Sequence, residues 1–349
     1  MRRSRLALPT ALLAVTATLA ACGSDAGAPE ATGDAQDADG ALVIYSGRNE
    51  NLVEPVLDRL EEAVGVPVEV RYAGTSELAA QLLEEGEATD ADVFFGQDAG
   101  ALGALANAGM LAELDQEVLD LVDEAYRDAE GRWVATSGRA RVLAYDPEQV
   151  PEIESITGID QLLEPEWAGK IGYAPSNASF HAFVTALRVA RGDDGAREWL
   201  EAFAANDPQA YENNNAVLDA VDAGQVALGL INHYYWYQRT AEVGEEGVNA
   251  RIHFLDSDDP GALINVAGAG IVEGTDQPEA AAEAIAFLLS DETQQYFADE
   301  TAEYPVVEGV ESTTFDLPPL SELQGQQIDL NDLESLDETL ALLDEVGLT

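Results

Sequence analysis

From Ala41 onward, short apolar runs alternate with stretches whose apolar residues recur every three or four positions. Ala41–Tyr45 is a run of buried-strand type, and over 50–63 Leu52, Val53, Val56, Leu57 and Leu60 share one helical face. Val66–Tyr72 alternates as a strand does. Residues 76–86 read as a second helix with Leu78, Leu82 and Leu83 inward. Ala91–Phe95 is a third strand, and 98–109 a third helix closed by Gly109. A β-α-β-α-β order predicts parallel strands joined by right-handed crossovers.

The pattern then restarts. Arg141–Tyr145, Ile171–Tyr173, Gln225–Ile231 and Ala267–Val272 read as strands. Phe180–Arg191, Arg197–Ala204, Ala216–Ala223, Tyr234–Val243 and Ala280–Leu289 read as helices, followed by a proline-containing loop at 317–320 and a last helix at about 331–345. No repeat of 20–50 residues is visible. The fold class is α/β with two lobes, and ligands in such sheets bind beyond the carboxyl ends of the strands.

The amino terminus breaks the pattern. Arg2, Arg3 and Arg5 precede an apolar run from Leu6 to Ala21 that is too short for a convincing membrane span. The Leu19-Ala20-Ala21-Cys22 ending resembles a bacterial lipobox, which implies cleavage of residues 1–21 and lipidation of Cys22. Residues 23–40 hold no large apolar side chain and read as a flexible acidic tether. The chain is thus expected outside the cytoplasmic membrane, held there by lipid.

Composition removes several function classes. The 349 residues carry 67 Asp+Glu against 16 Lys+Arg, a formal charge of −51. No basic stripe exists to neutralise phosphates, so nucleic acid is excluded as a partner. With 46% hydrophobic residues the chain is nevertheless a globular body with an acidic coat, of a kind suited to salt-rich surroundings. Cys22 is the single cysteine, so intrachain disulfides, cysteine zinc sites and thiol nucleophiles are excluded too. No G-x-S-x-G, H-E-x-x-H or P-loop pattern occurs.

The most informative stretch is Asn232-His233-Tyr234-Tyr235-Trp236-Tyr237, which follows a predicted strand and opens a predicted helix. Adjacent tyrosines cannot share one face deep in a helix, but at a strand-to-helix junction both hydroxyls can enter one cleft. Phenolate is a hard oxygen donor, and a ferric ion can ionise a group of ordinary pKa about 10. The pair therefore fits an Fe³⁺ clamp; the same spacing also fits ordinary aromatic packing.

This stretch resembles the tyrosine-pair segment of bacterial ferric-ion-binding proteins, the substrate-binding components of iron ABC importers. Ile44-Tyr45-Ser46-Gly47-Arg48, Ala91–Phe95, Arg141–Pro147, Trp167–Pro175, Asp259–Leu263 and Ala302–Pro305 follow the family in the same order, over about residues 41–349. The resemblance implies a class II periplasmic-binding-protein fold. Its first lobe would comprise 41–138 plus about 264–315, and its second about 139–263 plus 316–349. It implies Fe³⁺ as cargo, no catalysis, a monomer, and delivery to an ABC permease with its ATPase subunit.

The family's iron ligands fall on Tyr145, Tyr234 and Tyr235. Its histidine and glutamate positions hold Asn49 and Gln97, weaker donors for a hard trivalent ion. Glu50 aligns with a tyrosine ligand of some members, and Asp98 stands beside Gln97. A synergistic anion, phosphate or carbonate, would meet Asn177, Ala178 and Ser179 at a helix start, assisted by Asn214 and Asn232. The arginine of carbonate-binding relatives falls at Ala101, leaving Arg48 or Arg139 to compensate charge. His233 matches no ligand; His181 and His253 read as structural. The rival cargoes for this fold are a phosphonate or other oxyanion, or a polyamine; a secreted hydrolase is the remote alternative.

Overall fold

The computed structural model describes residues 40–323 and 330–349. The expected leader, Cys22 and all of the tether before Gly40 lie outside the described residues. In chain order the elements are β1 (Leu42–Ser46), α1 (Glu50–Val64), β2 (Val68–Tyr72), α2 (Thr75–Glu85), β3 (Val93–Gly96), α3 (Ala99–Asn107) and the short α4 (Gln116–Leu119). Then come β4 (Val134–Tyr145), β5 (Ile171–Tyr173), α5 (Ala178–Ala205), β6 (Gln209–Ala210), α6 (Asn214–Asp222), β7 (Leu228–Asn232) and α7 (His233–Val243). The chain ends with β8 (Arg251–His253), β9 (Ile264–Ile271), α8 (Pro278–Leu288), α9 (Asp291–Glu300), α10 (Leu320–Leu323) and α11 (Leu336–Val346).

Helix starts follow from side chains that accept the first free backbone N–H groups. Asn49 caps α1, Asp98 caps α3 and Asn177 caps α5. The two helices predicted over 180–204 are continuous in hydrogen bonding but broken at Gly192, whose φ of 71° only glycine adopts without strain. β4 differs most from expectation. It begins at Val134 rather than Arg141, because the polar residues Thr136, Ser137 and Arg139 hide a strand that is buried along nearly its whole length.

Among the described residues nine strands form one sheet in the order β2-β1-β3-β9-β4-β7-β5-β6, with β8 on β4. β1 runs parallel to β2 and β3, and β9 runs antiparallel to β3 and β4. β4 pairs with β9 through Val134–Ala140 and with β7 through Arg141–Tyr145. It thereby passes from a first core, holding Phe94, Phe95 and Trp133, to further cores holding Phe183, Trp199 and Val217. Gly268 on β9 is required by this crossing. A Cβ there would lie 2.7 Å from the Val134 carbonyl oxygen and 2.8 Å from Leu102. The carboxyl-terminal segment also divides: Leu330 and Leu333 join the first core, Leu342 and Leu343 the second.

Candidate functional site

One cavity of about 610 Å³ collects the carboxyl ends of five strands. Gly47–Asn49 follow β1, Ala73 follows β2, Gln97 and Asp98 follow β3, Asn177–Ser179 follow β5, and Asn232 ends β7. This is where an α/β sheet leaves backbone groups and loop side chains free to meet a ligand. Its charge opposes that of the chain. Among the described residues Arg48, Arg139 and Arg141 line it, against Asp98 as the lone carboxylate, in a protein with 67 acids.

Tyr234 and Tyr235 stand at the first turn of α7 and both line this cavity. Their rings stack at 4.3 Å and 29°. The turn is anchored from behind. The Ala140 N–H donates to His233 Nδ1 at 3.2 Å, and the imidazole stacks on Tyr304 at 4.5 Å. Burial pushes His233 down to about 4, so it is a neutral prop rather than a ligand. Trp236 Nε1 donates to the Ala250 carbonyl and the Tyr237 hydroxyl to that of Asp316. Burial, then the neighbouring Tyr235, raise Tyr234 well above the ordinary phenol value, while Arg139 works the other way. A metal ion must therefore displace its proton.

The arginines are held from different sides. Arg48 pairs with the buried Glu303 at 2.7 Å and donates to Ser137 Oγ at 3.1 Å. Burial works to raise the Glu303 carboxyl, but Arg48 and Arg139 hold it below the usual range. Arg139 donates to the Gln97 carbonyl, and its Nε has no hydrogen-bond partner among the described residues. Arg141 donates to Ser179 Oγ at 3.0 Å and lies over the Phe183 ring. Burial lowers Arg141 to about 10, with the two tyrosines acting to raise it, so it remains charged at neutral pH.

Ser179 sits in a corner with Asn177 and Asn214. Asn177 Oδ1 accepts from the Ser179 N–H and hydroxyl, and Asn214 Nδ2 donates to Ser179 Oγ at 2.9 Å. Asn177, Ala178, Ser179 and Asn232 all line the cavity; Asn214 stands one step behind, and its neighbour Asn215 reaches the wall instead.

Tyr145 is not brought to the tyrosine pair. It lies opposite Leu228 on β4, four positions past Arg141, whose partner is Asn232. At about 3.3 Å per residue that is about 13 Å along the strand. Its side chain packs against the second core. Glu50 is exposed at the first turn of α1 and raises Tyr72, second to burial, toward about 12; it is not part of the cavity wall. Asn49 and Gln97 do line the wall, Asn49 as the cap of α1 and Gln97 with Oε1 buried and without a partner among the described residues. Asp98 is engaged in capping α3. His181 and His253 each bond a backbone carbonyl, of Pro175 and Ile156. Among the described residues no group of three or more His, Cys, Asp or Glu side chains could hold a metal.

Sequence reasoning missed Arg141, Asn215, Gln238 and Asn265. A signal for the first existed: Arg139 and Arg141 stand two apart in an apolar strand, so both share one face of a buried sheet.

A family model described as bacterial extracellular solute-binding protein matches residues 89–324. The chain is 34% identical, over 90% of its length and 92% of the relative's, to the Fe(3+)-binding periplasmic protein of Serratia marcescens. It is 31% identical, over 88% of its length and 93% of the relative's, to the major ferric iron-binding protein of Neisseria meningitidis serogroup A. Among solved structures it is similar to iron-bound HitA from Pseudomonas aeruginosa, with a TM-score of 0.80 and 34% identity, covering 88% of this chain and 99% of that one.

Proposed function

The chain belongs to the bacterial extracellular solute-binding protein family, which makes it an extracytoplasmic transport component and not an enzyme, and from that premise we propose that its cargo is ferric iron. Iron is held by the phenolates of Tyr234 and Tyr235. The observation that carries the reading is the stacking of this pair at the mouth of one helix, inside the cavity at the strand ends. Two hard anionic oxygens side by side suit Fe³⁺, and arginines nearby offset their charge. Tyr145 and Glu50 take no part.

Two phenolates leave most of the iron's coordination to other donors. An exogenous anion, of which phosphate and carbonate are the simplest, takes those positions and rests on Ser179, Asn177, Asn232 and Arg141. The lobes are 41–138 with 264–315, joined by Leu330 and Leu333, and 139–263 with the end of the 316–349 segment from about Leu342. β4 and β9 form the hinge, since they carry the chain between cores. Loaded protein, as a lipid-anchored monomer, docks on an ABC permease driven by its ATPase subunit.

The arginines favour one competing cargo, an oxyanion alone; they disfavour a polyamine by like charge. Calorimetric titration separates the two readings. Ferric iron should bind at one per chain and tightly, and inorganic phosphate or a phosphonate alone weakly. Tight phosphonate binding without iron would replace this reading with the other.

A further inference from the structure

We infer that the carboxyl-terminal segment is a strap that ties the two lobes together beside a second cavity and restrains how far they part; this rests on the reading above that cargo closes the lobes about β4 and β9. Leu330–Glu334 form one turn of 3₁₀ helix, and Leu336–Val346 form α11. Leu330 and Leu333 are buried in the first core, whereas Leu342, Leu343 and Leu348 are buried in the second. The chain therefore passes from one lobe to the other within this segment, apart from the crossings made by β4 and β9.

Each end of the passage is fastened. On the first lobe backbone meets backbone. α3 presents Gly100 so closely that a Cβ there would lie 2.4 Å from the Leu333 carbonyl oxygen, and any side chain would push the strap away. On the second lobe the fastening is polar and buried. Arg188 Nη1 on α5 donates to the Ser335 carbonyl at 2.8 Å, to Thr339 Oγ1 at 2.9 Å and to Ser335 Oγ at 3.1 Å. Thr185 Oγ1 and Thr339 Oγ1 share a hydrogen bond of 2.8 Å, and Arg197 pairs with Glu345 at 2.6 Å. Leu333 and Ser335 stand two positions apart, at most about 7 Å of extended chain. While both ends hold, the lobes separate at this edge no further than that reach.

The strap lies next to the cargo site. Leu333, Ser335, Leu336 and Glu338 line a cavity of about 490 Å³, whose other walls come from α2, α3, β9 and the first turns of α5. Asp98, Ala178, Ala182 and Asn265 line both this cavity and the one that holds the tyrosine pair. Asp98 caps α3 and Asn177 caps α5, so the two helices that carry the strap are also the two that start at the cargo site. β4 and β9 are paired neighbours, a narrow ribbon free to bend and to twist. A third tie set apart from that ribbon confines the lobes to a smaller range of rotation.

The two fastenings are unequal. Parting the second one strands a buried guanidinium, whereas the first rests on apolar burial and van der Waals contact alone. The strap therefore stays with α5 and yields at α3 when the lobes part widely. A loosened strap gives the open form more conformations, which draws population away from the closed, loaded form.

The test places spin labels on Leu83→Cys of α2 and Val189→Cys of α5, both exposed, in a protein whose single native cysteine is removed by Cys22→Ser. Double electron–electron resonance reads the separation with and without ferric iron, and excess EDTA reads the rate of iron loss. Loading should shorten and narrow the distance distribution. Four glycines inserted between Glu334 and Ser335 add about 13 Å of reach and leave both fastenings in place. The iron-free distribution should then extend to longer distances, the loaded distribution should stay as it was, and iron loss should quicken by about fivefold or more. Gly100→Ala, which displaces the Leu333 carbonyl, and Arg188→Met, which removes the hydrogen bonds to Ser335 and Thr339, should act in the same direction. Recovery of the wild-type distribution on loading separates this effect from misfolding. An insertion protein with the iron-free distribution and release rate of the wild type overturns the strap and leaves the iron reading standing. Distributions that are the same with and without iron when the strap is unaltered overturn lobe closure and the inference with it.

Discussion

The Glu303→Gln substitution isolates the electrostatics that support the site. Arg48 and Glu303 meet at 2.7 Å with side chains 0% and 1% exposed, and Ser137 Oγ donates to the same carboxylate oxygen at 2.7 Å. Glutamine keeps the shape but leaves the guanidinium buried without a counter-charge. Breaking a buried pair from one side costs about 3–5 kcal/mol. Unfolding entropy of about 2.1 cal/mol/K per residue over Asp39–Thr349 amounts to about 0.65 kcal/mol/K. The melting temperature should therefore fall by about 5–8 °C. Removing both charges together, as Arg48→Met with Glu303→Leu, should recover most of that loss, because no lone charge remains. Scanning calorimetry of the three iron-free proteins at neutral pH reads the differences. A Glu303→Gln protein that melts with the wild type, or a double variant no better than the single one, would refute the reasoning.

Other outcomes follow from the same structure. Iron binding releases the protons of Tyr234 and Tyr235, so the logarithm of the apparent binding constant should rise by about 2 per pH unit near neutrality, and by about 1 in Tyr235→Phe; a flat profile by competition titration contradicts phenolate ligation. Tyr145→Phe should bind iron as the wild type does, since Tyr145 packs in the second core. His233 is neutral in the fold, with its value lowered to about 4 against about 6.5 unfolded, so its contribution is present above pH 6.5 and lost as pH falls toward 4. That window is worth about 3 kcal/mol, read as the difference in acid sensitivity between wild type and His233→Gln in urea unfolding. Gly268→Ala should destabilise by about 1–3 kcal/mol, measured by urea midpoint, because a methyl meets the Val134 carbonyl. Raising salt from about 0.01 M to 1 M shortens the Debye length from about 30 to 3 Å. With a formal charge of −51 the melting temperature should climb over that range.

The fold was legible because its signals are local. Apolar runs such as Leu42–Ile44 and the helical spacing of Val53, Val56, Leu57 and Leu60 name their elements unaided, and Leu42, Ile44 and those four are buried, whereas Leu83, expected inward, faces solvent because it falls off the packed side of α2. β4 was half legible: Arg141–Tyr145 is a mostly apolar, strand-like run, whereas the part that pairs with β9 carries Thr136, Ser137 and Arg139, of which Arg139 lines the cavity. β8 and β6 are too short to leave a periodic trace. At the site, adjacency at a strand-to-helix junction made Tyr234 and Tyr235 candidates, but aromatic packing fitted the same spacing and only the family resemblance singled the pair out. Tyr145 follows from the family resemblance, whereas the register, four residues past Arg141 on β4, is visible only in the structure. Arg141 marks only the start of a strand in the sequence, and the tertiary structure turns it into the cavity wall. The acidic coat and the arginine-lined cavity likewise separate only in three dimensions.

Phenolate ligation by the tyrosine pair is the central claim, and visible absorption with resonance Raman during a ferric titration tests it most directly. Saturation should bring a coloured complex whose Raman spectrum, excited in that band, shows tyrosinate modes, weakened in Tyr234→Phe or Tyr235→Phe and gone in the double variant. An iron-saturated protein that is colourless, or a double variant that keeps the band, would contradict the account.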